Sequence, residues 1–134
     1  MWLAGRNLSG WHPRTVFDGM EDARVVQLGS RLHVLFSRKR RYNASGKCKT
    51  HDQTMWIGTI DLPGGAYREV RVRGVGVKLA KTEKSWMPFV WNSTLYASQW
   101  LCPHRVLRCD PESGVCRRAY MSTAVGCNKN LRGG

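Results

Sequence analysis

A hairpin pattern that occurs twice constrains this chain more than any other feature. Val25 to Leu28, the pair Gly29-Ser30, and Leu32 to Phe36 read as two strands round a short turn. The pattern returns about sixty residues later. There Met87 to Trp91, Asn92-Ser93, and Leu95 to Trp100 form a second hairpin. Leu28 and Val90, Gly29-Ser30 and Asn92-Ser93, Leu32 and Leu95, His33 and Tyr96 fall into step. Each hairpin follows a charged lead-in: Glu21-Asp22-Ala23-Arg24 before the first, Glu83-Lys84-Ser85-Trp86 before the second.

The intervening segments also read as strand. Thr54 to Leu62 is one, closed by Pro63-Gly64-Gly65. Arg68 to Val75 alternates charged and apolar residues, as a strand with one wet face does. A third hairpin joins Arg105–Cys109 to Val115–Tyr120. Helical periodicity is nearly absent. Residues 25–37, 54–75 and 86–120 are therefore expected to be β, and Arg38 to Gln53 a basic loop. A charged lead-in, a hairpin and another strand pair are the content of a four-stranded propeller blade, whose repeats run to about 40–50 residues. An ordinary β-sandwich is the rival architecture.

The 134 residues fit one domain, 1–134. No apolar run approaches the length of a membrane-spanning helix. Met1 to Arg6 is too short and polar for a signal peptide. The 22 Lys and Arg outweigh nine Asp and Glu, for a net charge of +13, and such a surface attracts polyanions. The densest run, Arg38-Lys39-Arg40-Arg41, is either a solvated loop or a nucleic-acid patch. No helix-turn-helix, zinc-finger or RNP-like pattern accompanies it, which argues against nucleic acid.

Five cysteines stand at 48, 102, 109, 116 and 127. Cys109 and Cys116 flank the turn Asp110-Pro111-Glu112-Ser113-Gly114, so a hairpin would bring them within disulfide reach. A zinc site from Cys102, His104, Cys109 and Cys116 lacks the paired Cys-x-x-Cys spacing, and no metal or other cofactor is expected. Asn7, Asn43 and Asn92 begin glycosylation sequons, three of only five asparagines. Sequons and cysteines together point to the secretory pathway or the extracellular space.

Both lead-ins carry a further resemblance. Glu21-Asp22-Ala23-Arg24 is similar to the Glu-Asp-Pro-Arg motif of five-bladed β-propeller carbohydrate-active enzymes, and Glu83-Lys84-Ser85-Trp86-Met87-Pro88-Phe89 to the Glu-Lys-Asn-Trp-x-Pro-Phe that opens the next blade in their relatives. Pro103-His104, the turn Asp110 to Gly114 and the closing Leu131 to Gly134 fit the same pattern. The chain thus resembles the arabinanase- and invertase-like propellers, particularly those that hydrolyse or phosphorolyse β-mannosides. The resemblance covers roughly residues 18–134 and implies blades at about 18–75 and 83–122. Ala23 departs from the usual proline and loosens the turn that aims Asp22. Five blades need roughly 250 residues, so the resemblance implies a partial propeller of about two to two and a half antiparallel four-stranded blades.

By resemblance, the substrate is a carbohydrate and the reaction is hydrolysis, phosphorolysis or transfer at a glycosidic bond. Such chemistry uses a carboxylate or carboxylic acid beside the scissile bond, often two. Asp22 and Glu83 open successive blades and are the candidate catalytic pair. Trp86 would withdraw Glu83 from water, as suits a general acid. Asp22, beside Arg24, would stay ionised and stabilise positive charge. Glu21, Arg24, Lys84, Trp86, His104 and Arg105 are candidate binding residues, with Trp86 and Trp91 as sugar platforms. His104 and Arg105 would take phosphate or a phosphorylated sugar. Each feature also has a structural reading: an Asp22–Arg24 ion pair fixing the turn, an exposed Glu83–Lys84 pair, tryptophans as core, and surface cations. The alternative function is a non-catalytic basic module for anionic glycan or nucleic acid.

Overall fold

A computed structural model describes residues 20–39 and 53–122. Among them every regular element is a strand. β1 (Met20–Leu28), β2 (Arg31–Lys39), β3 (Gln53–Asp61) and β4 (Tyr67–Arg71) form one sheet in the order β1-β2-β3-β4. β5 (Arg73–Gly74), β6 (Met87–Trp91), β7 (Thr94–Leu101), β8 (His104–Cys109) and β9 (Val115–Met121) form a second, in the order β5-β9-β8-β7-β6. All ladders are antiparallel except the short parallel β5–β9 contact, and an isolated parallel bridge joins Gln53 to Thr82. No ladder joins the two sheets. Their first full strands, β1 and β6, lie against each other.

Turn chemistry sets the register. Leu28 pairs with Arg31, and Gly29 takes φ +61° at the first turn position, as a II′ turn requires. Trp91 pairs with Thr94, and both Asn92 and Ser93 have positive φ, the I′ pattern that asparagine tolerates. Aligning the turns makes Leu28 equivalent to Trp91 rather than Val90.

The core lies between the sheets. Leu35, Met55, Ile57 and Val72 meet Trp86, Leu95, Ala97 and Leu107, with Cys109 and Cys116 beside them. Cys109 and Cys116 form the expected cross-strand disulfide, with Cα atoms 4.1 Å apart. Cys102 is also disulfide-bonded. These bonds exclude the four-residue zinc site considered above, since a disulfide sulfur is no thiolate ligand.

Three expectations change. β1 starts at Met20, so the acidic lead-in lies on the strand itself. The alternating segment from Arg68 to Val75 is not one strand. β4 stops at Arg71, the Val72 amide donates to the Met55 carbonyl, and the Arg73 amide donates to the carbonyl of Gly114, just before β9 of the other sheet. Arg38 and Lys39 belong to β2, and Gln53 to β3. The remainder of that basic stretch, Asn7, Asn43, Cys48, Cys127 and residues 131–134 lie outside the described residues.

Candidate functional site

The two charged lead-ins come together, and a kink in β1 aims the first. Glu21 pairs with Ser37 and Arg24 with Leu35, so Asp22 and Ala23 face the single residue Phe36. This two-against-one bulge holds Asp22 at φ 53°. Asparagine and aspartate occupy that left-handed region more readily than most residues, yet it remains unusual outside glycine. Ser85, sixty-three residues on and at the same distance before its turn, has φ 57°. The two positions meet: Ser85 Oγ donates to Asp22 Oδ2 at 3.1 Å. Asp22 is otherwise exposed, as are Arg24, two residues on, and Lys84, which precedes its partner Ser85. No Asp22–Arg24 ion pair forms among the described residues.

Beneath this exposed pair runs a polar network. Glu21 accepts from Lys39 Nζ at 2.8 Å and from Gln53 Nε2 at 2.5 Å. The Glu83 amide donates to the Gln53 carbonyl at 2.9 Å. The Glu83 carboxylate, 4% exposed, accepts from the Ala80 amide at 2.6 Å, Gln99 Nε2 at 2.8 Å and Trp86 Nε1 at 2.9 Å. A buried carboxylate needs such donors to replace its lost hydration. Trp86 is 1% exposed and packs in the core, so it is a lid over Glu83 and not a sugar platform.

Arg105 approaches from β8. Its guanidinium lies 3.7 Å from the Trp100 ring centroid and within electrostatic reach of Glu83. Burial lowers its pKa from the ordinary arginine value, while Glu83 opposes the shift. Gln99 is the extra residue in a second irregularity, between Ser98 and Trp100 of β7. Gln99 Oε1 and Arg105 Nε and Nη2 are buried without partners among the described residues.

His104 and Arg105 do not form one phosphate clamp. Successive residues of a strand point to opposite faces. His104 Nε2 instead meets Ser98 Oγ at 3.0 Å, with the Tyr120 ring 5.9 Å away. Trp91 is exposed and tilted against Tyr96 at the turn end of β6, a strand's length from the lead-in. Sequence reasoning missed Gln53, Ser85 and Gln99. These neutral side chains gain meaning only through partners distant in sequence.

No family model matches the chain, and neither the curated proteins nor the solved structures contain a match. Among the described residues no helix is long and apolar enough to cross a membrane.

Proposed function

We propose that the two sheets are consecutive blades of a β-propeller and that the chain acts on glycosidic bonds, with Asp22 as the group that meets the sugar. The carrying observation is Asp22 itself. It is exposed, held in a left-handed conformation by a bulge, and bonded across the gap between sheets to the equivalent Ser85. Left-handed backbone outside glycine, kept by surrounding structure, clusters at functional sites, and bulges re-aim side chains there. The order of strands within each sheet and the contact of β1 with β6 support the blade reading, since inner strands converge in a propeller.

In this reading Asp22 supports positive charge developing at the sugar, or serves as base towards water or phosphate. Arg24 and Lys84 bind substrate hydroxyl oxygens. Glu83 is a positioning residue: its carboxylate ties Ala80, Trp86 and Gln99 together and so fixes the loop that carries Lys84 and Ser85. Glu21, through Gln53, ties the other side. The disulfide and the exposed sequon residue Asn92 support a secretory or extracellular location.

The test is turnover of a panel of aryl glycosides and β-mannosides, with and without phosphate, by the full chain. Asp22→Asn keeps shape and deletes charge. It should lower kcat by about 10²–10⁴-fold, the usual contribution of general acid–base help, with an unchanged circular dichroism spectrum. Parental turnover in Asp22→Asn would overturn the assignment and leave the basic binding module as the better reading.

A further inference from the structure

A second candidate site lies at the opposite end of the strands. A groove of about 530 Å³ runs between the β1 turn and the second sheet. Leu28 and Pro111 contribute apolar wall, Ser93 and Thr94 bring hydroxyls, and Arg108 and Arg117 bring charge.

The arginines are the unusual part. Arg108 on β8 is directly opposite Arg117 on β9, and both are exposed. Side chains opposite each other in an antiparallel pair share one face, with Cβ atoms about 4.5–5.5 Å apart, where like charges destabilise. Acids answer four of the described cations: Arg31 and Arg68 share Asp61 and Glu112, Arg38 has Glu69, and Lys39 has Glu21. Arg108 and Arg117 have no acidic partner among the described residues. Asp110 lines the groove, but its oxygens accept from Ser113 Oγ and the Glu112 amide within its own turn. The adjacent pair in the ladder is the Cys109–Cys116 disulfide, which locks the register that sets the arginines side by side.

We propose that this groove binds a tetrahedral oxyanion, the phosphate or sulfate monoester of a small sugar or metabolite, forked between Arg108 and Arg117. Two planar guanidinium groups match such oxygens by paired hydrogen bonds. Ser93 donates from the flanking turn, and the apolar wall accommodates the ester's carbon skeleton. The ligand supplies the negative charge that the cross-strand pair lacks. The proposal is independent of Asp22.

Thermal melting with added inorganic phosphate, sulfate or glucose 6-phosphate tests it. Each anion should raise Tm of the parent protein by several degrees at saturating concentration, because a ligand of the native state stabilises it by mass action. Glucose 6-phosphate should act at lower concentration than phosphate, and glucose should do nothing. Arg108→Gln and Arg117→Gln should each abolish the rise while melting no lower than the parent without ligand. Arg24→Gln and Asp22→Asn, at the other end, should keep it. No rise in the parent, or equal weakening by Arg24→Gln, would overturn the clamp in favour of diffuse charge. Displacement of phosphate by a thymidine oligonucleotide, with steep loss in salt, would overturn it in favour of an extended polyanion surface. Should the variants not fold, phosphate must still move the Arg108 and Arg117 Nε resonances of the parent protein. Unmoved resonances would refute the site.

Discussion

Replacing Glu83 with glutamine separates its scaffolding role from a direct catalytic one. Three donors converge on the buried carboxylate: the Ala80 amide, Gln99 Nε2 and Trp86 Nε1. Glutamine matches the shape but offers one acceptor oxygen. With that oxygen kept towards Ala80 and Gln99, the new amide nitrogen opposes Trp86 Nε1, donor against donor. One charge-assisted bond is lost, and a buried indole N–H is left unsatisfied. Leaving a buried donor without its partner costs about 1–3 kcal/mol, so Glu83→Gln should destabilise by about 1–3 kcal/mol. Glu83→Ala strands all three donors and opens a void, which places it near 5 kcal/mol, in the extreme tail for single substitutions. Urea unfolding followed by tryptophan fluorescence and circular dichroism measures the difference. With a slope of about 2 kcal/mol per molar, Glu83→Gln should lower the midpoint by about 0.5–1.5 M. A midpoint within about 0.3 M of the parent, together with lost glycoside turnover, would refute the scaffold reasoning and make Glu83 a catalytic acid.

Two further outcomes follow from buried groups of the first sheet and the turn that meets it. His33 is 1% exposed and bonded to Thr59 Oγ1, and burial, then Arg31, holds its pKa below the ordinary 6.5. The unfolded chain therefore binds a proton first on acidification. Urea midpoints should be steady above pH 7 and fall below about pH 6.5, at no more than about 1.4 kcal/mol per pH unit from this group, and His33→Gln should flatten that fall. Gly114 has φ +70°, and a Cβ there would strike the Arg71 carbonyl oxygen. Gly114→Ala should lower stability by about 1–3 kcal/mol in a thermal melt, whereas Gly64→Ala, with open space around it, should change little.

Local chemistry made the hairpins legible. Gly29 and Asn92-Ser93 are turn residues with a conformational reason, and the turn from Asp110 to Gly114 placed Cys109 opposite Cys116. Where regular alternation ran across a change of partner, it misled. Arg68 to Val75 keeps its period although the chain leaves one sheet at Val72 and joins the other at Arg73. The site was legible as charges but not as roles. Glu83 beside Trp86 reads equally as a desolvated acid or as half of an exposed pair with Lys84 until Gln99 and Ala80 are seen to bond it, and Trp86 reads as platform or core until its burial is known. Position in the ladder, not residue type, separated His104 from Arg105.

The crossing at Val72 to Val75 also sets where this chain can be cut. By sequence the second unit begins near Glu83, yet the outer margin of its sheet is completed by Arg73 and Gly74, ten residues earlier and within the first repeat. A truncation at the repeat boundary would strip β9 of that partner and leave its amide and carbonyl groups open to pairing with other chains. The sequence pattern and the folding unit are out of phase. Circular permutants or domain insertions should therefore be placed in the exposed Gly64–Gly65 turn rather than at the apparent start of the second repeat.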